Sequence, residues 1–209
     1  MSPIFIAAFL WLIAAILWWS GWREEPIEGV PYWAVGIFLA VWPLAILGSL
    51  PVTSSVSLNG AWLWTLISVG ALAWRIPPAR RWMSLSAGIL IGSVAILLGR
   101  IAYSPIGIAH GYTPWAIPIL VGLLAALFLR SLPEQVLAIS LSLILSEGIA
   151  AIVQAPGESM SEIRGAAWLE GWWIAVSFAR LWSAAVKSAV EHGRKLTLKF
   201  SGKRGGQRL

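Results

Sequence analysis

Residues 82–103 read WMSLSAGILIGSVAILLGRIAY, and Arg100 is the only charged residue among them. A bilayer core of about 30 Å is crossed by roughly 20 apolar residues in a helix. Backbone groups exposed to hydrocarbon must find their hydrogen bonds within their own segment, which selects a helix. This stretch therefore predicts a membrane-spanning helix, and the rest of the chain can be compared with it.

Six further stretches of this kind divide the chain almost end to end. We predict seven spans, at residues 3–22, 32–50, 56–74, 82–103, 112–129, 133–153 and 166–186. The 209 residues are 58% hydrophobic and 11% charged, whereas a soluble domain carries about 25% charged residues. The predicted fold class is all-α, a polytopic transmembrane helix bundle over residues 1–186 with a tail at residues 187–209.

The positions of Lys and Arg predict the orientation of the bundle. Twelve of them fall in segments that seven spans place on one face, and two, Arg100 and Arg164, fall on the other face. Positive residues accumulate on the cytoplasmic side of a membrane. We therefore expect an outer N-terminus and a cytoplasmic C-terminus. No basic residue precedes the first stretch, which favours a retained span over a cleaved signal.

The tail holds seven basic residues against Glu191. A basic segment directly after a span is attracted to anionic lipid headgroups, so we predict a lipid partner and no nucleic acid. The tail is expected to be flexible. The residues predicted to contact headgroups are Lys195, Lys199, Lys203 and Arg204.

Tryptophan and the small residues predict two kinds of contact. Most of the 15 tryptophans lie near predicted span ends, where indole rings favour the headgroup boundary. We interpret them as anchoring belts rather than as a cage for a cationic ligand. In the fourth span, small residues recur at helical spacing and predict a face for close packing, either against another span of the chain or across a dimer interface. They are Gly88, Gly92, Ala95 and Gly99.

Three ionisable residues in the outer halves of the predicted spans form the candidate intramembrane polar site: Glu147, Glu170 and Arg100. Ionisable groups in hydrocarbon are costly and normally face the protein interior. One hypothesis is a polar site that opens outward, with Glu147 as a ligand contact or proton carrier. A second is a structural ion pair between Glu147 and Arg100. A third is three independent residues, with Glu170 at the interface.

Catalytic and metal-binding motifs are missing from the sequence. It has no Asp, no Cys and two His, and it contains no HExxH, GxSxG or phosphate-loop motif. We expect no enzyme activity, no cofactor and no metal site. Two functions remain open: a non-enzymatic membrane component that organises partners, or a small transporter or ligand-binding protein with a site around Glu147. An integral-membrane enzyme is the third alternative.

Several segments carry a family resemblance. The runs Gly99-Arg-Ile-Ala-Tyr103, Leu127-Phe-Leu-Arg130 and Ile144-Leu-Ser-Glu-Gly148, with the aromatic opening at residues 9–19, resemble the YphA-type small integral membrane proteins of spore-forming Gram-positive bacteria. The resemblance implies a plasma-membrane location, several spans and no assigned activity. It supplies no functional residues.

The predicted orientation can be tested with single cysteines, because the chain has none of its own. A membrane-impermeant thiol reagent should label Ser55→Cys and Ser159→Cys in intact cells, since both positions fall in predicted outer loops. It should label Ser201→Cys only after the cells are lysed. Labelling of position 201 in intact cells would reverse the orientation.

Overall fold

The computed structural model describes residues 3–20, 30–53, 56–102, 115–153 and 161–204. These residues form seven helices and two short strands, so the predicted all-α class is confirmed, with one hairpin as the exception. The elements are α1 (Pro3–Trp19), α2 (Tyr32–Ile46), β1 (Ser49–Thr53), β2 (Val56–Asn59), α3 (Gly60–Arg75), α4 (Pro78–Ala102), α5 (Ala116–Phe128), α6 (Leu132–Val153) and α7 (Ser161–Arg204).

The hairpin lies where the second and third predicted spans meet. The end of the 32–50 prediction and the start of the 56–74 prediction form β1 and β2, which pair antiparallel with Ser49 opposite Asn59. This segment is rich in Ser, Thr and Val, which favour strands or local side-chain bonds over a helix interior. Helix α3 begins after Asn59, whose side chain accepts a 2.8 Å hydrogen bond from Ala61 N as an N-cap.

Helix length separates two elements from the rest. Within the described residues, Pro78–Arg100 and Leu132–Ile149 are long and apolar enough to cross a membrane. Ile4–Trp19, Tyr32–Ile46 and Ala116–Phe128 are apolar but shorter. The structure thus shows two candidate spans by length and composition, and the predicted count of seven spans goes beyond that finding.

The contacts between helices show that successive helices alternate in direction. Helix α1 is antiparallel to α2, since Trp11 reaches Leu39 and Trp18 stacks on Tyr32. The other pairs follow from contacts between residues along each helix. Helix α2 is antiparallel to α3 and α6 to α7, whereas α4 is parallel to α6 and α5 to α7.

Helix α6 occupies the centre of the bundle. Every residue from 133 to 140 is buried, and α6 packs against α3, α4, α5 and α7. A Cβ built on Gly88 would lie 3.0 Å from the Ala138 carbonyl oxygen, and one on Gly92 would lie 3.1 Å from Cα of Ser142. The predicted small-residue face of the fourth span is therefore confirmed as a contact within the chain.

Helix α2 continues through Pro43, which leaves one backbone carbonyl without its usual donor. Proline has no N–H, so the carbonyl of the residue four positions earlier loses its helical hydrogen bond. That residue is Leu39, and the indole Nε1–H of Trp11 donates to its oxygen at 2.9 Å. A side chain of α1 thus replaces the hydrogen bond that the proline removed.

This replacement predicts a specific coupling between two positions. Trp11→Phe should destabilise the protein by about 1–3 kcal/mol, because it strands a carbonyl in the interior. In a Pro43→Ala background, residue 43 supplies its own N–H to the Leu39 carbonyl. The hydrogen-bond part of the cost of Trp11→Phe should then fall below about 0.5 kcal/mol, while the packing part remains. Unfolding in mild detergent, followed by circular dichroism, measures both costs.

Trp64→Phe is the matched control for this cycle. Trp64 Nε1 donates to the Phe38 carbonyl at 3.3 Å, and Trp42, four residues after Phe38, still has its backbone N–H. The cost of Trp64→Phe should therefore be the same with proline or alanine at position 43. Equal coupling of Pro43 to both tryptophans would contradict the explanation.

Candidate functional site

The sequence-predicted polar residues lie in the half of the bundle that contains the last turns of α4 and α6, which we call the far end. Glu170 is half-buried on α7, and its Oε1 accepts a 3.1 Å hydrogen bond from Trp115 Nε1, just before α5. This contact ties α7 to the start of α5. It gives Glu170 a structural partner that the sequence did not indicate.

Arg100 and Glu147 lie in the same half of the bundle and differ in exposure. Arg100 is exposed near the end of α4, and Glu147 is half-buried on α6. The contacts at Gly88 and Gly92 place each α4 residue level with the α6 residue about 50 positions later, so Arg100 lies near the level of residue 150. An ion pair that the structure shows joins two other residues, and the pairing of Glu147 with Arg100 stays a prediction.

The basic tail differs from the predicted flexible segment. Helix α7 runs unbroken from Ser161 to Arg204, so residues 187–204 are helical. The four predicted headgroup-contact residues lie in its last three turns, on the helix backbone: Lys195, Lys199, Lys203 and Arg204. Residues 187–204 contain Gly193 and Gly202 but no proline. Glycine destabilises a helix less than proline does, which agrees with a helix that continues past the bundle.

Several tryptophans assigned to the anchoring belts are instead in the core. Trp168, Trp172 and Trp173 are 2–4% exposed. Trp172 Nε1 donates to Ser140 Oγ at 2.8 Å, and Trp173 meets Trp42 edge-on at a centroid distance of 5.5 Å. The belt interpretation is therefore wrong for these three. It agrees with the exposed rings of Trp19, Trp33, Trp74, Trp82 and Trp115.

A polar site that the sequence analysis missed lies at the other end of the bundle, which we call the basic end. It is formed by the last turn of α3 and the first turns of α4 and α6. A cavity of about 180 Å³ opens there. Its polar lining comes from Arg75, Arg80, Ser131 and Glu134, and the apolar part comes from one leucine, one isoleucine and two prolines of the same segments.

The charged groups of this cavity differ sharply in exposure. The Glu134 side chain is 5% exposed, whereas the Arg80 side chain is 65% exposed, and the Arg80 Nη1 to Glu134 Oε1 distance is 3.6 Å. A charge-assisted hydrogen bond is about 2.7–2.9 Å long. The arginine therefore neutralises the carboxylate from the rim of the cavity without forming a close hydrogen bond to it.

The start of α6 has the sequence of a capping box, Ser131-Leu-Pro-Glu134. In a capping box, the serine hydroxyl and the glutamate carboxylate bond to backbone N–H groups of the first turn. Here the recorded bond at this turn runs from Gln135 N to the Ser131 carbonyl at 3.1 Å, and neither side chain makes its capping bond within the described residues. Both side chains line the cavity instead.

Arg81 fixes the turn that carries the arginines of the cavity. Its Nη2 donates to the carbonyl oxygens of Trp74 at 3.0 Å and Ile76 at 3.1 Å, and its guanidinium lies 5.9 Å from the Trp74 ring centroid. These bonds satisfy carbonyls left free where α3 ends. Arg75 also lies near a tryptophan, with its guanidinium 5.9 Å from the ring centroid of Trp33.

One sequence signal pointed to this site. A glutamate in the first turn of the sixth predicted span faces the segment with Arg75, Arg80 and Arg81, because seven spans place both segments on one face of the membrane. The predicted site drew on ionisable residues of the outer halves of the spans, so Glu134, at the inner end of the sixth predicted span, was not among them. The described residues contain no group of three or more metal-ligating side chains.

Comparison with known proteins adds no assignment. No protein-family model, no curated protein and no solved structure matches the chain. The resemblance to YphA-type proteins stays a prediction.

The ion pair of the cavity predicts an asymmetric effect on stability. Arg80→Gln should destabilise the protein by about 1–3 kcal/mol, because it leaves the buried Glu134 carboxylate without its cation. Adding Glu134→Gln should recover most of that loss. Arg100→Gln is the control on the same helix and should change stability by no more than about 0.5 kcal/mol. Equal losses at positions 80 and 100 in detergent unfolding would contradict this account.

Proposed function

We propose that the chain is a seven-span protein of the bacterial plasma membrane and a non-enzymatic component that organises a cytoplasmic partner. The alternation of helix direction supports seven spans, because each crossing of a bilayer reverses the chain. Two of the helices are long and apolar enough by themselves. Three further helices are apolar but shorter, and they make up the proposed seven spans together with α3 and α7.

The surface of the bundle supports a lipid environment. Each of the seven helices exposes at least one large apolar side chain on its outer surface. The examples, from α1 to α7, are Phe5 59%, Leu44 69%, Ile67 62%, Leu97 60%, Leu127 61%, Ile144 38% and Leu181 65%. Soluble monomers rarely expose apolar patches that continue around the molecule. In contrast, the central helix buries polar residues, including Gln135, Ser140 and Ser142.

The observation that carries the proposed role is the length of α7. Gln135 Nε2 donates to Ser183 Oγ at 3.0 Å, so residue 183 lies level with the first turn of α6 at the basic end. Helix α7 then continues to Arg204, and all residues from 185 to 194 are exposed. We call residues 184–204 the α7 extension. Twenty residues from 183 to 203 add about 30 Å of helix.

Helical spacing gives the α7 extension two faces. At about 100° per residue, Val186, Val190, Leu196 and Phe200 fall within one arc of roughly 120°. Five of the six basic residues of the extension fall on the remaining arc, namely Lys187, Arg194, Lys195, Lys199 and Lys203, whereas Arg204 falls within the apolar arc. A basic amphipathic helix of this kind binds either an acidic protein groove or a membrane surface.

Distance favours the protein partner. If α7 keeps its direction, Lys199 and Lys203 lie about 24–30 Å beyond the end of the bundle. The Debye length at physiological salt is about 8 Å, so headgroups at the bundle end would attract these residues only weakly. An acidic surface on a cytoplasmic partner can meet the same residues directly.

Purification in mild detergent tests this role. A protein with an acidic surface should co-purify with the full-length chain and should be lost from a variant with Lys195, Lys199 and Lys203 all changed to Gln. The Arg100→Gln variant is the control and should retain it. The role is contradicted if the partner binds the triple variant as well as the wild type.

A second measurement tests lipid contact by the same residues. A spin label on Thr197→Cys, in full-length protein reconstituted in phosphatidylcholine and phosphatidylglycerol nanodiscs, reports whether the α7 extension lies in water. We expect water accessibility in both lipids. Protection only in the anionic discs would instead place Lys195, Lys199, Lys203 and Arg204 on headgroups.

A further inference from the structure

The cavity at the basic end has hydrogen-bonding capacity that the protein does not use. Ser131 is 7% exposed and lines the cavity, and its hydroxyl makes no hydrogen bond within the described residues. Glu134 is 4% exposed as a residue, and its recorded partner is Arg80 at 3.6 Å. Neither group is among the sealed, unpartnered polar atoms of the described residues. Both therefore remain open to the cavity that they line, where a bound group can donate hydrogen bonds to them.

The positive and negative charges of the cavity lie at different depths. Arg75 is exposed and Arg80 is mostly exposed, so the two cations stand at the rim. Glu134 is nearly sealed from solvent, so the anion stands inside. A simple anion bound deeply would meet the carboxylate, and a simple cation would have to pass two arginines. A zwitterion with an ammonium group inside and an anionic group at the rim matches both charges.

The position of the cavity relative to the exposed tryptophans indicates the source of such a zwitterion. The exposed rings of Trp33, Trp74 and Trp82 surround the same end of the bundle, at 59%, 82% and 70% exposure. Exposed tryptophans mark the headgroup level of a membrane protein. At about 180 Å³, the cavity is smaller than the roughly 300–1,000 Å³ of pockets for drug-sized ligands. It therefore suits a small headgroup rather than a whole lipid.

We propose that the cavity at the basic end binds an amino-phosphate zwitterion, the headgroup of a phosphatidylethanolamine lipid. The primary ammonium donates to the Glu134 carboxylate and the Ser131 hydroxyl, and the phosphate accepts from Arg80 and Arg75 at the rim. The lipid as source rests on the proposed membrane function. The same chemistry in a free solute would be phosphoethanolamine.

The ammonium group and the phosphate group of the ligand bind to different residues, so their contributions can be tested separately. Phosphatidylcholine carries the same phosphate but a quaternary ammonium with no N–H donor, so it cannot bond to Glu134 or Ser131. Phosphatidylglycerol lacks the cation entirely. The site should therefore prefer phosphatidylethanolamine over both, by about tenfold, because a hydrogen bond to a charged group contributes that much.

Native mass spectrometry of the full-length chain in detergent measures this preference. Phosphatidylethanolamine, phosphatidylcholine and phosphatidylglycerol with identical acyl chains are offered in equal amounts. Glu134→Gln removes the negative charge at nearly constant shape and should abolish the preference for phosphatidylethanolamine over phosphatidylcholine. Arg80→Gln should weaken both lipids, since both present a phosphate. Arg100→Gln and Glu170→Gln, at the far end, should leave the preference unchanged.

Each result decides the proposal. Equal retention of phosphatidylethanolamine and phosphatidylcholine, preference for phosphatidylglycerol, or an unchanged preference in Glu134→Gln would overturn it. If Glu134→Gln fails to fold, Ser131→Ala gives the second reading and should reduce the preference severalfold; no reduction would overturn the proposal.

A further experiment identifies the source of the ligand independently of the proposed membrane function. Soluble phosphoethanolamine is titrated into delipidated protein in detergent by calorimetry. Binding as tight as that of the lipid would support the site chemistry and assign it to a free solute. Recovery of the chain from the soluble fraction of lysed cells would refute the membrane function without deciding the cavity, which the calorimetry then tests.

Discussion

The close approach of α4 to α6 determines which parts of the chain meet at each end of the bundle. A Cβ at Gly88 or Gly92 would lie 3.0–3.1 Å from the α6 backbone, closer than most side chains tolerate. The two helices run in the same direction at this contact, so their first turns lie side by side. Arg80 and Glu134 are 54 residues apart in sequence and meet for that reason.

Helices α5 and α7 repeat this arrangement. A Cβ at Gly122 would collide with the Ala175 carbonyl, and the Gly171 position faces Pro118 at 3.4 Å. This contact determines which residue of α7 lies level with the ends of the other helices. The α7 extension is thus the part of α7 left over after the bundle has been crossed, and its length follows from the packing register.

The helices and their packing face could be read from the sequence because they depend on local properties. Apolar stretches of about 20 residues predict helices in a membrane wherever they occur, and the spacing of Gly88 and Gly92 predicts a face. The hairpin at residues 49–59 could not be predicted in this way. Its Leu and Val residues make the segment apolar enough to be read as an extension of either neighbouring span. Asn59 was the local signal, because it is a good N-cap.

The tryptophans show where sequence position stops being informative. Indole has an apolar body and a polar N–H, so it suits both the headgroup level and a packed interior. The Nε1 atoms of Trp42, Trp168 and Trp173 are buried and lack a partner within the described residues. At the headgroup level these N–H groups would reach water, so their burial carries a cost that ring packing offsets. Ring contacts such as Trp42–Trp173 at 5.5 Å then contribute about 0.5–1.5 kcal/mol each.

Glu134 was passed over in the sequence because depth in a span and burial are different quantities. Glu147 is deep in its predicted span, yet it is only half-buried. Glu134 is one turn from the start of α6 and is 4% exposed, because α6 is central and three other segments cover its first turn. That cover depends on tertiary register, which no local pattern contains.

The position of Glu134 also argues against a purely structural role for its charge. A counterion for the arginines at the basic end would be more stable at the surface, where water solvates it and Arg80 remains within reach. Burial removes that solvation, and an arginine at 3.6 Å that is itself 65% exposed restores only part of it. The unused capping bonds of Ser131 and Glu134 add to the cost. Neither Ser131 nor Glu134 is among the sealed, unpartnered polar atoms of the described residues, so both keep their oxygens open to the cavity, where a bound group can donate to them.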